Sequence, residues 1–262
     1  MKILEFLSCF CRLGVVCCTP RKEAAVMTRE AAIEAPRDRI REEARASAAR
    51  PLTPYRMLWL FLIAGVAGDL IEVAFWLLTR GELISRSSLL YGPFSLVWAM
   101  GAVLLTLAFH RMDDQSPARI ILAGTVLGGA YEYICSWIQE VLFGACFWDY
   151  RHLPFNLNGR VNLVFCLFWG LAALAWVRAA YPALCLLIDR VPLPRGKRMV
   201  RAAALFLACS TALSAAALCR MDQRRRDVPA SGAVAQFLDE TYPDSFLKER
   251  YPNMGILDEI GW

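Results

Sequence analysis

Histidine is nearly missing from this chain: His110 and His152 are the only two in 262 residues. No H-E-x-x-H is present, and no serine sits in a G-x-S-x-G elbow. A G-x-x-x-x-G-K-[ST] phosphate loop is also lacking, because Gly196-Lys197 is followed by Arg198 and has no earlier glycine at the required spacing. Zinc hydrolases, serine hydrolases and P-loop ATPases are thereby left without their signatures. Cysteine is not scarce, at ten residues, but no C-x-x-C pair at metal spacing exists. Cys135, Cys166, Cys185 and Cys209 lie inside apolar runs, where small buried side chains are the simplest reading. Neither a metal nor a cofactor is expected. The basic residues lack aromatic interleaving or a folded basic face, which argues against nucleic acid as a partner.

What the chain has in excess is apolar surface. Hydrophobic residues make up 57% of it and the mean hydropathy is +0.40. They cluster in runs of about twenty residues, the length a helix needs to cross a bilayer. The runs are continuous and do not alternate, so helices are favoured over a barrel. The predicted fold is all-α, a polytopic membrane helix bundle of about five transmembrane helices surrounded by membrane lipids.

The spans are expected at about 57–78, from Tyr91-Gly92-Pro93 to about His110, from about Arg119 to Phe143, from after Arg160 to about Val177, and at 200–219. VPLPRGKR (191–198) reads as a linker. Before the bundle, residues 1–56 comprise a short apolar segment at 3–18, broken by Glu5 and Arg12, and a polar arm at 19–56 with nine basic and six acidic residues. After the bundle, 220–262 form a polar tail with one amphipathic stretch around Gln236 to Leu247. Basic residues near span ends favour the arm on the inside, with Arg119, Arg178, Arg190 and Lys197 on the same side. Five spans then put the tail outside, against the positive triplet Arg224-Arg225-Arg226.

The chain is organised around Tyr131 to Arg160. An apolar helix carrying Glu132, Ser136 and Glu140 at four-residue spacing breaks through Phe147-Trp148-Asp149-Tyr150 into the loop Pro154-Phe155-Asn156-Leu157-Asn158-Gly159-Arg160. Asp69 and Glu72, three apart in the first span, project from one face, and Gly65 and Gly68 offer close approach to a neighbour. Intramembrane acids cost several kcal/mol unless neutral, paired or hydrated, so these should face the bundle interior. Glu72, Arg86, Glu132, Asp149, Asn156, Asn158 and Arg160 form the candidate polar path or network, with Arg86 and Arg160 as partners of Glu72 and Glu132. Asn156, Asn158 and Gly159 also suit plain turn chemistry. Glu140 reads as interfacial, and Trp137, Trp148 and Tyr150 read as an aromatic belt.

Trp148-Asp149-Tyr150, Pro154 to Arg160 and the helix start Phe165-Cys166-Leu167-Phe168-Trp169-Gly170 together resemble the ABC-transporter type IV, or CmpB-like, permease family. Arg86 to Phe94, Glu132-Tyr133 with Ser136, and Tyr251-Pro252-Asn253-Met254 fit the same pattern. The resemblance covers about residues 58–190 plus that tail motif. It departs at Leu96-Val97-Trp98-Ala99, where many relatives have P-I-Y-G. It implies a permease-like subunit of unknown substrate, dependent on a separate ATPase chain. Two alternatives stand beside it: a non-transporting accessory protein, and a membrane enzyme acting on lipid-linked substrates through Asp149, His152 and Arg160.

Overall fold

The computed structural model describes residues 37–110, 112 and 114–260. The apolar segment expected at 3–18 lies outside them, as does the first part of the basic arm. The chain divides into two units, Met1–Ala46 and Ser47–Trp262. In the first, residues 37–46 are helical. The second holds the bundle.

Helix α1 (Pro54–Arg80) shows how sequence sets these boundaries. Thr53 caps it by accepting from the Arg56 amide, and Pro54 opens its first turn, where no amide donor is needed. Gly81, at φ 72°, ends it with its amide on the Leu77 carbonyl. Helix α3 (Pro117–Phe143) repeats the arrangement with Ser116, Pro117 and Gly144. Between them lies α2 (Leu96–Phe109), capped by Ser95. Helix α4 (Leu163–Ala175) runs through a π-turn at Trp176–Ala180 into α5 (Tyr181–Asp189). Pro182 cannot donate a helical hydrogen bond, and the widened turn accommodates its ring without breaking the rod. Helix α6 (Leu193–Arg225) begins inside the stretch read as a linker. Pro192 and Pro194 sit at its start, where proline is tolerated, so the linker shrinks to a few residues.

α1, α3, the continuous α4–α5 rod and α6 are each long and apolar enough to cross a membrane. With the shorter α2 there are five such apolar helices among the described residues. This is a multi-pass membrane protein. Leu78, Leu122, Val126, Val141, Phe168 and Leu205 face outward from the spans. In water that surface would be a liability, whereas against lipid it is matched.

At 14 residues α2 is about 21 Å long by helical rise, short of a bilayer core of about 30 Å. Residues 87–95, which precede it, are irregular backbone. Leu89, Leu90 and Phe94 are buried there. The Ser87 hydroxyl takes the Leu89 amide and reaches the Gly92 carbonyl at 2.8 Å, so the loop's polar groups are answered from within the protein.

The helices alternate between two ends. One end gathers residues 81–95, residues 144–162 and the C-terminal tail. The other gathers residues 47–56, His110 and residues 189–196, where Arg56 meets Asp189 and the Tyr181 hydroxyl lies 3.3 Å from His110 Nδ1.

The tail is folded. Helices α7 (Ala233–Thr241) and α8 (Asp244–Arg250) bury Leu238, Tyr242, Leu247 and Tyr251 against Leu90, Ala217, Leu218 and Met221. Strand β1 (Ala145–Cys146) then pairs antiparallel with a strand near the C-terminus, β4 (Gly255–Ile256), which leads into the short α9 (Leu257–Ile260). Arg220 and Arg224 both bind Asp239, at 2.9 and 2.6 Å, and Arg224 also meets Asp244. Arg226 pairs with Asp222 at 2.9 Å. Two members of the triplet, Arg224 and Arg226, are thus paired with acids of the same stretch. Asp239 lies outside the spans, and the Arg220 and Arg224 guanidiniums hold its carboxyl down to about 2.

Candidate polar site

The site begins with small residues. Gly68 leaves no room for a side chain because the Trp98 ring fills that position, and Gly128 is covered in the same way by Trp169. The two indoles lie 6.1 Å apart between α1, α2, α3 and α4. Tight backbone approach therefore brings the acids of α1 and α3 toward a common aromatic wall.

Glu72 is fully engaged. Arg86 Nε donates to its Oε2 at 2.8 Å and Trp98 Nε1 donates to its Oε1 at 2.7 Å. Asp69, 3% exposed, has an Oδ1 with no hydrogen-bond partner among the described residues. The charges facing it are Glu72, Arg250 and Arg86.

Glu132 is 7% exposed. The Tyr150 hydroxyl donates to its Oε1 at 2.7 Å, while Oε2 has no partner among the described residues. The Trp169 indole approaches the carboxylate without closing a hydrogen bond of normal geometry. The Glu72 carboxylate lies near enough to Glu132 for their charges to repel.

Arg160, expected to answer Glu132, forms its ion pair with Glu140 and lies 5.4 Å from the Tyr133 ring centroid. The reason is depth. Glu140 sits eight residues nearer the helix end, about 12 Å by helical rise, and it meets the guanidinium first. Glu140 is therefore a partnered acid. Tyr150 is likewise no belt residue: its hydroxyl is committed to Glu132 and its ring stacks on Phe165 at 4.8 Å. Trp148 donates to the Arg160 carbonyl. Trp137 is half exposed on the outside of the bundle.

The hairpin of β2 (Asn156–Leu157) and β3 (Val161–Asn162) is built by its own side chains. Asn158 and Gly159, at φ 53° and 68°, form the central pair of a tight turn closed by the Arg160 amide on the Leu157 carbonyl at 3.1 Å. Asn156 accepts from the Gly159 amide and donates to the Leu153 carbonyl, and Asn158 donates to the Tyr133 hydroxyl. Arg151, Asn156, Asn158, Gly159 and Arg160 line a shallow surface hollow of about 340 Å³. Asp149 is held at the surface by Arg151, at 2.7 Å. That guanidinium keeps its carboxyl below the usual range, so Asp149 is a poor proton acceptor for catalysis. The structure joins Glu72 and Arg86 in a part-buried ion pair, buries Glu132, and leaves Asp149 in the loop before the hairpin and Asn156 and Asn158 within it. Among the described residues no three His, Cys, Asp or Glu side chains converge as a metal requires.

Sequence reasoning missed Trp98, Trp169 and Arg250. Arg250 donates to the Leu89 carbonyl at 2.6 Å and the Leu90 carbonyl at 2.9 Å, and also to the Ser85 hydroxyl. It pins the tail over the irregular 85–92 segment. A tryptophan facing a glycine on an acid-bearing helix was the available signal for the indoles. No local signal marked Arg250.

A family described as Putative ABC-transporter type IV matches residues 59–215. The chain belongs to that family. The match covers every residue of the polar site from Glu72 to Arg160 and extends beyond the resemblance into α6. The C-terminal cap, with Arg250 and the Tyr251-Pro252-Asn253-Met254 motif, lies beyond the matched residues. No curated protein and no solved structure matches the chain.

Proposed function

We propose that this ABC-transporter-type protein is a permease-like subunit, and that its cargo path runs along the acids enclosed between α1 and α3. The observation carrying this reading is that Glu132 is buried and Glu72 part-buried, near enough for their charges to repel, although both lie in helices long and apolar enough to cross a membrane. Buried intramembrane acids are costly to keep and mark ion or substrate routes far more often than ordinary packing. Because the chain carries no phosphate loop, energy would come from a separate ATPase subunit. The basic residues of the end holding Arg56, Arg119, Arg190 and Lys197 favour the cytoplasmic side of the cell membrane for that end, where an ATPase could dock.

Affinity capture of tagged chain from native membranes tests this reading. The expected result is an ATPase co-purifying with it, and nucleotide turnover that falls in Glu132→Gln without loss of folded protein. Capture of the chain without an ATPase, together with a Glu132→Gln variant that only lowers abundance, overturns it.

A further inference from the structure

The polar row on α3 continues past Glu132. Ser136, one turn on, is fully buried, and its hydroxyl has no partner among the described residues; the same holds for Gln139 Oε1. Spacings of four and three residues keep these groups on one face. The row ends at Glu140, which meets Arg160 beside the hairpin. Buried polar atoms of native proteins are almost always hydrogen-bonded. Three in succession, beginning with a carboxylate more than nine-tenths buried, mark a track serving something other than a neighbouring side chain.

Size decides what that is. The indoles of Trp98 and Trp169 pack directly onto Gly68 and Gly128 of the acid-bearing helices, and the hollow of about 340 Å³ lies out at the hairpin. A proton fits, carried by single water molecules.

We propose that Glu132 is a proton-binding site whose proton exchanges with the hairpin end of the protein along Ser136, Gln139 and Glu140. The inference rests on the permease reading of this site and names the ligand it takes. Uptake adds one proton to Oε2 and gives a neutral carboxylic acid. Release hands that proton to a water molecule at Ser136 and restores the carboxylate. The groups facing Glu132 are Glu72 from α1, Trp169 and Cys166 from α4, Tyr150 from the hairpin and Cys135 from its own helix. None is a cation, and Arg86 is spent on Glu72. An ionised Glu132 would have the Tyr150 hydroxyl as its one hydrogen bond of normal geometry, the Trp169 indole nearby and no cation against it, so the protonated form is the resting state.

Infrared spectroscopy of the full chain in lipid at neutral pH tests this without any transport assay. The expected result is a protonated-carboxyl C=O band that shifts on transfer to D2O, vanishes in Glu132→Gln and survives in Asp69→Asn. Ser136→Ala should slow the deuterium exchange of that band several-fold. A wild-type spectrum without the band, or a Glu132→Gln spectrum retaining it in full, overturns the proposal. If Glu132→Gln does not fold, Tyr150→Phe decides: loss of its hydrogen bond must raise the band's frequency, and an unchanged frequency overturns the proposal. A missing ATPase would leave the band in place, and a missing band would leave a permease with a charged Glu132, so the two readings fail separately.

Discussion

Two charged sites in this protein, each with one buried member, reach opposite states. At one end, Arg56 is 5% exposed; it binds both oxygens of Asp189 at 2.7 Å and donates to the Ser47 carbonyl at 2.9 Å. Ser47 and Arg50 complete the Asp189 carboxylate. In the bundle interior, Glu132 has one hydrogen bond and one unpartnered oxygen among the described residues. A closed network holds a fold together; an open one is retained at a cost, because an unsatisfied buried polar group forfeits its hydration with no return. Burial alone does not separate a structural acid from a functional one. The count of hydrogen bonds to each oxygen does.

If that contrast is sound, substitutions at the two sites must differ in kind. The largest effect is expected from Arg56→Ala, which leaves Asp189 without its main partner. It should cost on the order of 3–4 kcal/mol, because three hydrogen bonds of a buried guanidinium, each worth about 1–1.5 kcal/mol, are lost together, read as a large drop in thermal midpoint in detergent. A loss below about 1 kcal/mol would erase the distinction. Next comes Leu247→Ala. Leu247 is fully buried in the cap core, and its truncation should cost about 3 kcal/mol. Limited proteolysis should then cut within residues 226–260 while the bundle stays intact. Glu132→Gln should change stability by less than about 1 kcal/mol, because the amide keeps an acceptor for Tyr150 and brings no charge. A thermal midpoint that falls as far as that of Arg56→Ala would make Glu132 a structural acid too.

The smallest effect concerns pH. Asp239 is held down to about 2 by Arg220 and Arg224, below an unfolded carboxylate near 3.8. A depressed acid contributes stability that is fully present above the unfolded value and lost as pH falls through the folded one. The cap should therefore stay protease-resistant above about pH 4 and loosen between about 4 and 2. Asp239→Asn should loosen it at neutral pH, and equal resistance of wild type and variant would remove the ion pairs from the account.

The contrast also marks what could be read in advance. The spans were legible because a hydrocarbon layer imposes a length and a composition on any helix crossing it, and α1 and α3 carry their caps in the adjoining residues. The pairing of Glu72 with Arg86 was accessible for a related reason: a loop arginine fourteen residues from an intramembrane acid has few other partners. The pairing of Arg160 was not. Glu132 and Glu140 share one face at four-residue spacing, so pattern alone cannot say which of them lies at the depth the hairpin reaches. Tyr150 was equally opaque, since an aromatic at a span's end serves as belt or as hydrogen-bond donor according to the direction its chain turns.

By itself, then, the amino-acid order determined a helical, lipid-embedded bundle with acids turned inward, because apolar length and the cost of a bare charge in hydrocarbon act locally along the chain. Tertiary structure alone decided which donor meets which acid, that the tail folds back to close one end, and that irregular backbone precedes the short α2. Those outcomes depend on contacts between residues far apart in sequence, such as Arg250 with Leu89 and Tyr150 with Glu132, and no local pattern encodes them.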